Sequence, residues 1–167
     1  VIKTNKFPQL TRRVFTTADG LKSDNITAMR FDKNGVLFVG TDKGLARFDG
    51  EKFSPVSIGA KDAAISMIYF NAENHMFVGV GNSMLEFDGK KKLSEKKFSS
   101  KLIDIEVDLD GATWILTESV LYKLGKTGYD IEIGVPGKGS CLAVYKNNKV
   151  YVGTAGGGLH ALVGKRW

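Results

Sequence analysis

The sequence predicts an all-β fold, a β-propeller made of four-stranded antiparallel blades, with about four blades in its 167 residues. Three observations predict it. Phe38-Val39-Gly40-Thr41 returns as Phe77-Val78-Gly79-Val80, as Trp114-Ile115-Leu116-Thr117 and as Tyr151-Val152-Gly153-Thr154, at offsets of 39, 37 and 37 residues. A period of about 40 residues built from short apolar strands marks stacked β units. The 20 glycines fall mostly at hairpin turns and strand ends inside this repeat, and no comparable window carries a helical period.

Each element follows from its turns. In the first copy Ile26 to Phe31 is a β-rich run that ends in Asp32-Lys33-Asn34-Gly35, whose Asn-Gly is a strong hairpin signal. Val36 to Thr41 is the return strand. Asp42-Lys43-Gly44 turns into Leu45 to Phe48, and Asp49-Gly50 turns into an outer strand carrying Phe53 and Val56. The same grammar gives blades at about 26–57, 65–99, 102–133 and 141–167. Thr11 to Thr16 is expected as the outer strand of a preceding blade, because Val14 and Phe15 precede Ile26 much as Phe53 precedes Ile65. Gly164-Lys165-Arg166-Trp167 matches Gly50-Glu51-Lys52-Phe53, where an outer strand begins. These ends allow a closed ring of four or a slice of a larger ring. The slice is favoured, since Trp167 would begin the strand that closure makes redundant.

The second strand of each copy is almost continuously apolar, as expected of a strand covered on both faces. The large residues Phe38, Phe77, Trp114 and Tyr151 are expected to wedge between blades. A blade cannot bury both faces alone, so stability is shared with its neighbours.

Bulk composition excludes several classes. Hydrophobic residues at 43% and charged residues at 25% are those of an ordinary folded domain. The net charge of +6 includes one cluster, Lys90, Lys91, Lys92, Lys96, Lys97 and Lys101, relieved by Glu95. Only Phe98 interrupts it as a stacking platform, so no nucleic acid is expected, and the lysines read as a solvated outer strand and its loops, which resist edge pairing. The single cysteine, Cys141, excludes an internal disulfide and reads as a buried strand residue beside Leu142, Ala143 and Val144. No run approaches the roughly 18 apolar residues of a membrane helix. The opening residue, Val1, suggests a removed leader or excision from a longer protein.

No catalytic constellation emerges. His75 falls in a hairpin turn and is expected to be exposed, while His160 falls in a third strand and is expected to pack. No serine occupies a nucleophile elbow. Glu106, Asp108, Asp110 and Gly111 resemble the start of a calcium loop, but its twelfth position is Thr117 rather than glutamate, so a hairpin turn is expected. Ala155-Gly156-Gly157-Gly158 precedes a strand, which leaves no helix terminus for a phosphate. No metal or other cofactor is expected. Any ligand site should lie where inter-blade loops meet the turns between second and third strands. Its candidate residues are Asp24, Asn25, Asp42, Lys43, Asn82, Glu118 and Lys138.

Ile26 through Gly50, with Asp32 to Gly35, Phe38-Val39-Gly40-Thr41, Gly44-Leu45 and Phe48-Asp49-Gly50, resembles the two-component regulator propeller repeat. The preceding Asp19-Gly20-Leu21-Lys22-Ser23-Asp24-Asn25 resembles the connector through which family members enter the repeat. Later copies depart: Val80 stands for the threonine, and Ser83 and Val120 for the glycine before the third strand. The resemblance implies part of a seven- or eight-bladed ring, periplasmic or extracellular. It further implies the sensor of a hybrid two-component regulator in Bacteroidetes, signalling through dimer geometry, with oligosaccharides as ligands. It transfers a scaffold and no ligand-contacting residue. A fragment of a propeller-fold polysaccharide lyase and a protein-interaction scaffold are the alternatives. Self-association, with two sets of four blades making eight, is a further expectation.

Overall fold

The structure, a computed structural model, describes residues 13–124, 129–145, 149–164 and 166–167. Among the described residues fifteen strands form four antiparallel sheets, with one short 3-10 turn at Thr17–Asp19. Blade one comprises β1 (Ile26–Phe31), β2 (Leu37–Thr41), β3 (Gly44–Phe48) and β4 (Phe53–Val56). Blade two comprises β5 (Ile65–Phe70), β6 (Met76–Val80), β7 (Ser83–Asp88) and β8 (Lys91–Lys97). Blade three comprises β9 (Leu102–Val107), β10 (Thr113–Thr117), β11 (Val120–Leu124) and β12 (Tyr129–Gly134). Blade four has three strands, β13 (Gly139–Val144), β14 (Val150–Thr154) and β15 (Gly158–Leu162), followed by an isolated Val163–Arg166 bridge. Every sheet is a meander in chain order, as expected of a propeller blade.

The first hairpin of blades one, two and three is organised by a side chain at its entry. The Asp32 carboxylate accepts from Asn34 N at 2.9 Å and Val36 N at 2.8 Å. Asp108 does the same for Asp110 N and Ala112 N, and Asn71 Oδ1 accepts from His75 N at 2.8 Å. In the first of these turns only Gly35 is left-handed, at φ 78°, so the Asx bonds carry the reversal as much as the Asn-Gly pair. The second hairpin is closed by the repeated threonine. Thr41, Thr117 and Thr154, all buried, donate through Oγ1 to the carbonyls of Gly44, Val120 and Gly158 at 2.9–3.0 Å. Val80 has no hydroxyl for this bond.

The core lies between blades. Leu45, Ile65, Ile68 and Val78 fill the first interface, Met67, Met84, Leu102 and Ile105 the second, and Trp114, Leu121, Leu142 and Val152 the third. The inner strands stack in sequence, β1 on β5, β5 on β9 and β9 on β13. Among the described residues no packing of that extent joins β13 to β1, so the four blades do not close on themselves. Blade one is instead flanked by Phe15 and Leu21, which pack with Val39, Ala46, Phe48 and Phe53.

Several expectations are corrected. Residues 11 and 12 lie outside the described residues, and 13–16 form no strand; Thr16 caps the 3-10 turn, its Oγ1 accepting from Ala18 N at 3.2 Å. Cys141 is exposed rather than buried, because among the described residues no further blade lies against its sheet face. Tyr151 is exposed for the same reason, whereas Phe38, Phe77 and Trp114 wedge between blades as expected. His75 is half-buried, with Nδ1 3.1 Å from Glu86 Oε1 on the neighbouring strand. As expected, Lys91, Lys92, Lys96 and Lys97 lie on the exposed outer strand β8, and Lys101 lies in the connection to β9.

Candidate functional site

Each inner strand of this propeller carries a register shift at one repeat position. The ladder skips Thr27 between Ile26 and Ala28, Ser66 between Ile65 and Met67, Ile103 between Leu102 and Asp104, and Ser140 between Gly139 and Cys141. These positions are spaced by the repeat offsets themselves, 39, 37 and 37. A bulge leaves one residue unpaired and re-aims its side chain. All four bulged residues line one open depression of about 560 Å³, completed by Asp42, Ala64, Ile65, Gly81, Lys101 and Leu102. Three of the four are hydroxyl residues.

The rim is also repeat-ordered. Asn25, Lys101 and Lys138 offer their backbone carbonyls to Asp42 N, Glu118 N and Ala155 N at 3.3, 2.9 and 2.8 Å. These bonds tie the residues entering β1, β9 and β13 to the turn after the second strand of the same blade, so both kinds of loop meet at one end of the sheets. The Asn25 amide donates to Asp42 Oδ2 at 3.3 Å. The Ser23 hydroxyl and this Asn25 amide hold the Asp42 carboxyl below the usual carboxylate range against the effect of burial, so it is ionised at neutral pH. Asp42 Oδ1 is buried without a hydrogen-bond partner, as is Ser66 Oγ. A buried oxygen left unpaired costs on the order of 1–3 kcal/mol.

Beyond the mouth, the inner strands carry Arg30, Tyr69, Asp104 and Glu106. Burial raises the acid of Asp104 against the amides of Leu142 and Ile105 that bond it, and burial together with the Asp104 charge raises Glu106. The Arg30 guanidinium lies 6.0 Å from the Tyr69 ring centre. A second depression of about 430 Å³, between blades one and two, is lined by Lys22, Lys43 and Lys61 over Leu45 and Ile58. No three His, Cys, Asp or Glu side chains are grouped to hold a metal ion among the described residues.

The residues singled out from sequence divide as follows. Asp42 lines the axial depression, with Asn25 bonded to it. Glu118 and Lys138 form a 3.2 Å ion pair on the rim of blade three. Asn82 is adjacent to Gly81 but donates to Phe98 O at 3.0 Å, and Asp24 accepts from Thr17 N at 2.7 Å, so both serve local turns. Lys43 lines the second depression. Thr27, Ser66, Lys101 and Ser140 were not among the candidates. A signal for Lys101 was present: it is one repeat after Ala64, in phase with Asn25 and Lys138.

The meandering sheets, stacked on their inner strands with a bulge at the same place in each, define a β-propeller segment. Residues 20–43 match the family model described as two component regulator propeller, so the chain carries a repeat of that kind. No curated protein matches it in sequence. Among solved structures, the chain superposes on the extracellular domain of a hybrid two component system from B. thetaiotaomicron. The TM-score is 0.74 and the identity 16%, over 90% of this chain and 25% of that one. The extracellular domain of a one component system from the same organism gives a TM-score of 0.76 at 15% identity, over 89% and 23%. Virginiamycin B lyase from Staphylococcus aureus gives 0.56 at 12% identity, over 83% and 55%. The chain thus spans a quarter to about half the length of these proteins, and at such identities the likeness is one of fold.

Proposed function

We propose that this chain is an extracytoplasmic propeller segment for ligand sensing, the sensor part of a two-component regulator that responds to oligosaccharides. The observation that carries the reading is the ring of bulged residues, Thr27, Ser66 and Ser140 with Ile103, at one mouth beside Asp42 and Lys101. Hydroxyls, an ionised carboxylate and a cation around an open depression suit a ligand rich in hydroxyl groups, and such a ligand could relieve the unpaired Ser66 and Asp42 oxygens. The extracellular placement of the two B. thetaiotaomicron domains supports a location outside the cytoplasm. A catalytic role is the second reading, favoured by the fold shared with virginiamycin B lyase.

Calorimetric titration of the chain with a panel of neutral and uronic-acid oligosaccharides tests the proposal. Binding that is weakened about tenfold by Ser66→Ala or Lys101→Ala, with no product formed, is the expected result. Silence across the whole panel refutes oligosaccharide sensing, and release of unsaturated product moves the protein to the lyase reading.

A further inference from the structure

The connection from blade one to blade two departs from the repeat. It takes eight residues, 57–64, between β4 and β5, whereas residues 98–101 and 135–138 make the two later connections in four. The short connections are tied down at once: Phe98 N donates to Asn82 O at 2.9 Å and Val135 N to Ser119 O at 2.8 Å, each acceptor lying in the turn after a second strand. Phe98 then fills the second interface with Met84 and Tyr122. The long connection instead borders the depression of about 430 Å³ that Lys22, Lys43 and Lys61 line. Where otherwise matching units differ by one lengthened loop, that loop is where a specific contact is expected.

The three lysines arrive from three segments. Lys22 precedes β1, and its stem lies along the β2–β3 turn, since a Cβ at Gly44 would come within 3.3 Å of its Cγ. Lys43 belongs to that turn and Lys61 to the long connection. Among the described residues none of the three is in an ion pair, and Asp62 is the only acid lining the depression. The floor is apolar, with Leu45 and Ile58 at 1% and 4% exposure. Every lining residue falls within 22–62, so the depression is built inside the stack and not by its flanks. Lys43 directly follows Asp42, which lines the axial depression, so the two depressions flank one turn. We propose that the second depression is a subsite for a uronic-acid unit of an oligosaccharide whose neighbouring units lie in the axial depression. The carboxylate is held by Lys22, Lys43 and Lys61, and the C–H face of the sugar ring lies over Leu45 and Ile58. This inference rests on the oligosaccharide reading above and narrows it to acidic chains.

Calorimetric titration with an oligogalacturonate and with its methyl ester of equal length provides the test. The acid should bind more tightly than the ester, by a margin that shrinks as salt is added. Lys43→Gln and Lys61→Gln should each weaken the acid about threefold, and the double variant about tenfold, with the ester unaffected. Lys43 and Lys61 are exposed, so unchanged circular dichroism and melting are expected of these variants. Lys91→Gln removes the same charge from the exposed strand β8, away from the depression, and should change neither ligand. Equal binding of acid and ester leaves oligosaccharide sensing standing and overturns the acidic subsite, as does a loss that Lys91→Gln reproduces. Silence with both forms overturns the sensing reading and the subsite with it.

Discussion

The indole Nε1 of Trp114 donates a 3.1 Å hydrogen bond to Oδ2 of Asp108, and both side chains are buried. Asp108 meanwhile holds the β9–β10 turn through Oδ1, so one carboxylate joins the hairpin backbone to the side chain that wedges blades three and four apart. Lys123 Nζ lies 5.2 Å from the centre of the same ring. Trp114→Ala should therefore cost about 3–5 kcal/mol in urea unfolding, the usual range for a deleted buried aromatic. Trp114→Phe should cost less through packing but leave Asp108 Oδ2 without its donor. A loss near zero for Trp114→Ala would show that blades three and four do not depend on this wedge.

Asp108 also sets a pH dependence. Burial pushes its acid up, but the Trp114 indole, the Ala112 and Asp110 amides and the Lys123 charge outweigh burial and hold it below its ordinary value. A depressed acid contributes stability that is present above the unfolded value of about 3.9 and is lost as pH falls through the folded value. Melting curves between pH 6 and 2 should show this loss, and Asp108→Asn should flatten that part of it. An unchanged acid limb in the variant contradicts the assignment.

Glu106 has the opposite sign. Burial and the neighbouring Asp104 charge raise its acid, with Arg30 opposing them. The proton-linked stability is full below about pH 4.3 and lost as pH rises through the folded value. Glu106→Gln should then melt higher than the parent at neutral pH and lose that advantage in acid. A lower melting temperature at pH 7 would show that the Arg30 attraction dominates.

Blade spacing makes Gly40 and Gly79 unequal. A Cβ at Gly40 would come within 2.6 Å of Ile65 Cγ2, and Ile65 is 1% exposed with nowhere to move. At Gly79 the obstacles are the flexible Met67 Cγ and the Ser66 hydroxyl, each at 2.6 Å. Gly40→Ala should cost about 1–3 kcal/mol in chemical unfolding, and Gly79→Ala less. The reverse order would mean that the first interface is the softer one.

The fold was legible because its signal is redundant. Four copies of a strand-turn-strand pattern, three with Asp or Asn entering the first hairpin and three with a threonine closing the second, report the same local geometry repeatedly. Errors fell where one copy differs in its surroundings. Cys141 and Tyr151 have apolar neighbours in sequence, yet among the described residues no blade covers them. His75 sits in a turn, as the sequence indicates, but the cross-strand Glu86 that receives it is eleven residues away.

The candidate site was half visible. Asn25, Asp42, Glu118 and Lys138 follow from the rule that loops at one end of the strands converge; of these Asp42 lines the depression and Asn25 bonds to it, while Glu118 and Lys138 pair with each other. Thr27, Ser66 and Ser140 were hidden because alternation along a strand says which face a residue takes only while the ladder is regular, and here it is not.

The sequence by itself determined the blade: its strand lengths, its turns and its recurrence, since these depend on contacts within some forty residues. Tertiary structure alone decided which equivalent residues are buried and where the bulges aim their hydroxyls. Both outcomes are set by the adjacent sheet, whose presence or absence no single repeat encodes.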